Sequence, residues 1–494
     1  MAFTQDQNKA FEVIMSGSNT FITGGGGVGK THVLNTVVRA FQRKGKQVMV
    51  CAPTGAAAVL VHGTTIHRGF GIPSGATINS KTMKIMARTT PSLRKADVVI
   101  IDEISMCRMD LFDAVAASLH KIEENDHRHV QLVVFGDFFQ LSPVLTFKRG
   151  EKTLLDRYYG HDVGGAYAFM SSAWDSFHFI CVDMQEVVRQ RDDEFIANLT
   201  KARFGDATCL RYFNRRTSSH GFEKGIYLCG HKEEADRINN EALSHIPEES
   251  QTYNIVIDGE VEDSDLVVAR SITLKPGALV TTIVNAPDGR YVNGSIGTIR
   301  KLELDFIYID FESGISAGVS LHEWAVYDYK SNEDNTISKV CIGSYKQLPV
   351  RLAYASTIHK AQGATYTRVN LNPTCWAPGQ LYVALSRVRK PGNLYLTGEA
   401  KPKDLVTDLE VLQFYRAMDK DTRINRNVGR PKQLSGSTKI LRVSEEIAPD
   451  VQNIYEQWKA LGPERYNYSI VLIPIDKQDK VRAAIDDKMY SEFL

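Results

Sequence analysis

Residues 24–31 read Gly-Gly-Gly-Gly-Val-Gly-Lys-Thr. They sit between Asn19-Thr-Phe-Ile-Thr23, which reads as a short buried strand, and a segment at 30–44 with Val33, Leu34, Val37, Val38 and Phe41 at helical spacing. Such a turn wraps a phosphate only when a buried strand delivers it and a helix N-terminus follows, so that backbone N–H groups and the helix dipole converge on the anion. That requirement leads to an α/β fold on a parallel sheet. In this reading Gly25, Gly26, Gly27, Val28 and Gly29 form the cradle. Lys30 supplies a charge for the β- and γ-phosphates, Thr31 a hydroxyl for Mg²⁺, and His32 follows in the first helical turn. The expected ligand is a nucleoside triphosphate, ATP, with Mg²⁺ as its partner ion.

Further apolar runs end in polar groups, as buried parallel strands with functional C-terminal ends do. The run 96–101 leads into Asp102-Glu103, and 130–135 into Gly136-Asp137, with Gln140 just beyond. Beside a phosphate loop, Asp102 is the expected Mg²⁺ ligand and Glu103 the base that orients and deprotonates water. Gln140 is an uncharged reporter of the γ-phosphate. A second α/β unit without its own phosphate loop is read from strands at 225–229, 278–283, 352–355 and 367–371 and a helix at 232–243. Alternation at 296–345 predicts a small antiparallel barrel inserted in that unit. The expected domains are 1–178, with a small insertion at 64–92; 179–295 plus 346–400; the barrel at 296–345; and a C-terminal extension, 401–494.

Charge and cysteine usage narrow the partners. Residues 1–100 carry a net +9 and the remainder −8, hidden inside an overall +1. Such a basic segment is either a docking face for a polyanion or a solvated face. Seven dispersed cysteines lack any Cys-x-x-Cys pair, which argues against a zinc or redox site. No apolar run reaches the roughly 18 residues of a membrane span. The N-terminus has no secretory pattern. The expectation is a monomeric protein away from membranes, cytoplasmic and nucleoid-associated, or nuclear if its source has a nucleus, with a bacterium or phage-infected cell the expected source.

The motifs in order resemble those of the Pif family of superfamily-one DNA helicases, in the RecD/Pif branch. Phe3-Thr-Gln-Asp-Gln7 resembles the adenine-reading element, with Gln7 the matching glutamine. Ala52-Pro-Thr-Gly-Ala56 and Gly63-Thr-Thr-Ile-His67 are similar to single-strand contact motifs, and Leu111-Phe-Asp-Ala114 to the Pif signature. Further matches are Gly136-Asp-Phe-Phe-Gln-Leu-Ser-Pro-Val144, Glu186-Val-Val-Arg-Gln190, Tyr291-Val-Asn-Gly-Ser-Ile-Gly297, Ser356-Thr-Ile-His-Lys-Ala-Gln-Gly363 and Tyr382-Val-Ala-Leu-Ser-Arg387. The resemblance covers residues 1 to about 400. Ser142 and Ala361 depart from the family's usual proline and serine without removing a charge.

The resemblance implies two RecA-like domains with a wedge hairpin and a small β-barrel. It also implies an ATP-dependent helicase that moves 5′-to-3′ on single-stranded DNA and opens duplex or structured junctions, with roles in replication, repair and recombination. An ATPase that remodels DNA without processive unwinding is the alternative. A guanidinium from a second domain can stabilise charge on the γ-phosphoryl group, which nominates Arg189 and Arg387. Pro53, Thr54, Thr65, His67, Asn293, Thr357, His359 and Lys360 are the expected DNA contacts. Phe70 or Ile72 is the expected apolar tip of a wedge at 64–92, unless that segment is a plain surface hairpin. In the tail, 429–432 reads as a linker or a minor-groove hook. The strand at 438–443 with a helix at 448–461 reads as half a ribbon-helix-helix or a small packing domain.

Overall fold

The computed structural model describes residues 3–72, 77–79, 83–145, 151–217, 221–223, 225–331, 337–422, 438–443 and 469–474. The chain divides into two units, Met1–Arg430 and Pro431–Leu494.

The first unit holds two parallel sheets. The larger is six-stranded, in the order Thr64–Thr65, Val48–Ala52, Val98–Ile101, Gln131–Phe135, Thr20–Gly24, Ile180–Met184. Its inner strands are buried throughout because both faces are covered. Phe21, Val99, Ile101, Leu132 and Val134 enter one core, while Ile22, Val98, Ile100, Val133 and Phe135 enter the other with Val33, Leu34 and Val37 of the helix Lys30–Arg43. The second sheet runs Ala355–Thr357, Ile226–Cys229, Val369–Leu371, Leu394–Leu396, all parallel, over its own core.

Three elements differ from expectation. Leu279–Thr282, read as a strand of the second α/β unit, pairs antiparallel with Ile296–Leu302 and Val350–Leu352. All four of its residues are buried, and a short apolar run does not reveal which partner covers it. The antiparallel region therefore extends beyond 296–345. It comprises a five-stranded sheet and a separate three-stranded one, in which the hairpin His322–Ser331/Ile337–Gln347 pairs with Val256–Gly259. Arg68 ties this region to the first half through a two-pronged pair with Asp265, at 3.0 and 3.1 Å.

The second difference is the wedge tip. Phe70 and Ile72 are 0% and 4% exposed in the core beneath the first sheet. The helix Ile66–Phe70 turns them inward, where apolar area is removed from water. A hairpin, Ile78–Asn79 against Lys84–Ile85, does form in this segment. Thr77 beside it is anchored on Asp110. Phe70→Ala is expected to destabilise this half by about 3–5 kcal/mol, read as a lowered urea midpoint. An unchanged midpoint with lost unwinding would restore the wedge-tip reading.

The third is the helix Leu409–Thr422. Expected in an extension, it packs Val411, Phe414, Tyr415 and Met418 into the first sheet's core. In the second unit, Thr438–Val443 pairs in parallel with Ser469–Pro474. The 429–432 sequence and the expected 448–461 helix lie outside the described residues.

Candidate functional site: a cleft between two α/β halves

The glycine turn leaves the strand Thr20–Gly24 and enters the helix Lys30–Arg43. Gly24 has φ +140°, and a methyl group there would meet the Met184 carbonyl oxygen at 2.4 Å. Only glycine serves at that point. Lys30 is half-buried and donates from Nζ to the carbonyls of Gly24, 2.6 Å, and Gly25, 3.3 Å. Burial holds its ammonium below the ordinary lysine range, against the pull of the Asp137 and Glu103 carboxylates. Gln7, itself buried, donates from Nε2 to the Val28 carbonyl at 3.0 Å and so braces the turn from behind. His32 lies edge-on to Phe3.

Asp102 and Glu103 follow the strand Val98–Ile101. Burial raises both carboxyls above the usual carboxylate range; for Asp102 the Glu103 charge adds to the rise, while Lys30 opposes it at both. Glu103 has φ +51°, a left-handed backbone rare for a side-chain-bearing residue. Such strain persists where the surroundings enforce it, often at functional sites. Here the turn aims the carboxylate across to the other half, where Gln362 Nε2 donates to Glu103 Oε2 at 3.3 Å.

The opposite wall comes from the second half. Arg387 follows the helix Gln380–Leu385 and is 2% exposed. Its Nε donates to the Val383 carbonyl, Nη1 to those of Ala361 and Ala364, and Nη2 to Ser386 Oγ. Burial, then the neighbouring Arg189, pulls its pKa down to about 10. Arg189 is half-buried against Gly27, and its buried Nη1 has no hydrogen-bond partner among the described residues. Tyr382 reaches over the turn and accepts the Gly26 N–H at 2.8 Å. Together these walls enclose a cleft of about 1150 Å³ lined by Gly26, Gly27, Gly29, Lys30, Thr31, Glu103, Gln140, Arg189 and Arg387. Gly25 and Val28 line a smaller hollow behind the turn.

Five groups escaped the sequence reading. Arg191, Arg389 and Lys390 also line the cleft; without a fold, surface arginines and lysines carry no positional signal. Gln362 lies inside a quoted motif, and only its bond to Glu103 distinguishes it. The fifth is a buried ion pair, Asp137 with Arg203 at 3.1 Å, which holds the loop beyond the strand Gln131–Phe135. Gln140 donates to the same Asp137 at 3.4 Å. Asp137 stands at a strand end, which was a usable signal; its partner 66 residues away was not.

The expected DNA contacts fall at strand ends or in the turns and short helix that follow them. Pro53 and Thr54 follow Val48–Ala52, and Thr54 accepts from the Ala57 N–H as a helix cap. Thr65 caps the helix carrying His67 by accepting from Arg68 N–H. Thr357 accepts from Lys360 N–H. Each hydroxyl oxygen thus has a local partner, and its O–H proton can still be donated outward. Burial keeps His67, His359 and Lys360 below their ordinary pKa ranges. Asn293 donates its backbone N–H to Asn285 Oδ1 at 2.8 Å. The next residue, Gly294, packs on the Thr365 carbonyl beside the Gln362 loop.

Comparison with known proteins agrees with this architecture. Residues 2–203 match the family model described as PIF1-like helicase. The chain is 30% identical over 432 residues to the ATP-dependent DNA helicase Pif1 of Bdellovibrio bacteriovorus, covering 84% of this chain and 92% of that protein. Among solved structures it is similar to Bacteroides sp Pif1 in complex with ADP-AlF4, with a TM-score of 0.75, 30% identity, and coverage of 85% of this chain and 98% of that one. Bacteroides Pif1 bound to ssDNA shows the same identity and coverage with a TM-score of 0.60. The two parallel sheets are those of two RecA-like domains, and the chain belongs to the PIF1-like helicase family.

Proposed function

We propose that this chain, an ATP-dependent DNA helicase, moves 5′-to-3′ along single-stranded DNA and separates duplex by closing its cleft on ATP. The observation that carries the reading is the cleft's composition. Lys30, Arg189, Arg191, Arg387, Arg389 and Lys390 face Glu103 and Asp192, and the cations come from both halves. A polyphosphate satisfies such a cleft and draws its walls together. Glu103 then takes the proton of the attacking water, Lys30 and Arg387 stabilise charge on the γ-phosphoryl group, and Gln140 reports its presence.

Thr31 and Asp102 fit Mg²⁺, which uses one or two protein oxygens and completes its shell with phosphate and water. Among the described residues there is no cluster of three His, Cys, Asp or Glu side chains, so a metal here depends on the nucleotide. Held by Thr31 and Asp102, Mg²⁺ would supply neutralisation of the negative charge on the nucleotide's phosphates.

DNA as the partner is supported by the ssDNA complex of Bacteroides Pif1 and by the strand-end segments carrying Pro53, Thr54, Thr65, His67, Thr357, His359 and Lys360. Conversion is short-range: the carbonyls of Ala361 and Ala364, on the Thr357–Lys360 side of the cleft, accept from Arg387 Nη1 in this resting arrangement. Movement of Arg387 onto phosphate changes the hold on the same loop that would grip the strand. Both walls of the cleft lie on one chain, which supports a working monomer. None of the seven cysteines forms a disulfide, in keeping with a reducing cytoplasm beside the nucleoid.

The test is strand displacement on duplexes with a 5′ or a 3′ single-stranded tail. Displacement from the 5′ tail alone is expected, with none for Lys30→Ala. Displacement from the 3′ tail alone would reject the polarity. DNA-stimulated hydrolysis with no displaced strand would favour remodelling without unwinding.

A further inference from the structure

We propose that Trp376 and His231 form a base-stacking platform for single-stranded DNA, an inference that rests on the single-strand reading above. Trp376 is 60% exposed, whereas Trp174 and Trp324 are at 2% and 5%. Its indole stacks on the His231 imidazole with centroids 5.8 Å apart and planes at 16°. One aromatic face supports the other.

The fold places this pair on the strand-contact edge. His231 follows Ile226–Cys229 and Trp376 follows Val369–Leu371, neighbours in one parallel sheet. Both loops therefore leave the same edge. Ala355–Thr357 flanks Ile226–Cys229 on its other side, and Ile358 N–H donates to the Cys229 carbonyl at 3.0 Å. The loop carrying Thr357, His359 and Lys360 thus adjoins the loop carrying His231.

The pair is also built rather than incidental. Gln380 is fully buried. Its Oε1 accepts from the N–H of Trp376 at 3.1 Å, and its Nε2 donates to the Gly230 carbonyl at 3.4 Å. One buried amide thus pins both loops. Gly379, at φ +72°, lies so close to the Phe139 and Gln140 carbonyls that a methyl group would meet each at 2.4 Å. The Trp376 loop is thereby seated against the first half, beside Gln140 of the cleft. A ring fixed in advance loses little freedom on binding. Every nucleobase has a π-face, so such a ring gives affinity without sequence preference.

The test uses the full chain and two oligonucleotides of equal length, oligo-dT and one made of abasic sites. Tryptophan emission of the wild type is expected to be quenched by oligo-dT. Trp376→Ala is expected to bind oligo-dT about tenfold more weakly, and Trp376→Phe to recover most of that loss while removing the quench. The abasic strand is expected to bind wild type and Trp376→Ala alike. Unchanged melting temperatures show that the variants fold. Oligo-dT binding by Trp376→Ala equal to wild type would assign the ring to a protein surface and overturn the proposal. So would a Phe variant as weak as the Ala variant. Wild type that binds neither oligonucleotide would remove the single-strand reading itself.

Discussion

Arg387→Ala is expected to lower kcat for ATP by about 10³- to 10⁵-fold while single-stranded DNA binding persists. The guanidinium belongs to the second half, yet its Nη2 lies 3.6 Å from where a methyl group on Gly26 of the first half would stand. It remains charged at neutral pH even though burial and Arg189 pull its pKa down to about 10. From a side chain this buried, a fixed charge aimed at the γ-phosphoryl group acts mainly in the transition state. Arg387→Lys is expected to rescue little. Lysine lacks the fork that bonds Val383, Ala361, Ala364 and Ser386 together. Single-turnover hydrolysis at saturating ATP is the measurement, and a kcat within about tenfold of wild type would remove Arg387 from the transition state.

The second large effect is at Glu103. Glu103→Gln is expected to reduce kcat by about 10²- to 10⁴-fold with ATP binding retained. The change keeps the shape and the Gln362 contact region but removes the proton acceptor. The backbone at φ +51° is one its surroundings must enforce, and the Gln362 hydrogen bond fixes the direction of the carboxylate. Equilibrium binding of a fluorescent ATP analogue beside steady-state turnover separates the two effects. Loss of both together would mean that Glu103 holds the fold or the nucleotide and is not the base.

The site was legible in the sequence wherever chemistry demanded a local pattern. The turn at 24–31 needs a strand before and a helix after, and both are present. Asp102-Glu103 and Gly136-Asp137 stand at strand ends because parallel strands deliver their groups there. Phe70 and Ile72 were misjudged because an apolar residue in a glycine- and threonine-rich stretch gives no sign of which way its helix faces. Leu279–Thr282 was misjudged because four buried residues look alike in a parallel and an antiparallel sheet.

Residues 24–31 and 102–103 by themselves determined that a phosphate loop and an acidic strand end share one chain. Each is encoded by contacts within a few residues, where backbone geometry and hydrogen bonding are short-range. Only the tertiary structure decided what meets across the cleft. Gln362 on Glu103, Tyr382 on the Gly26 N–H, Asp137 with Arg203, and the helix Leu409–Thr422 in the first half's core all join residues more than 60 positions apart. Such contacts depend on how whole sheets bury their faces, a long-range balance of hydrophobic area and charge that no local pattern records.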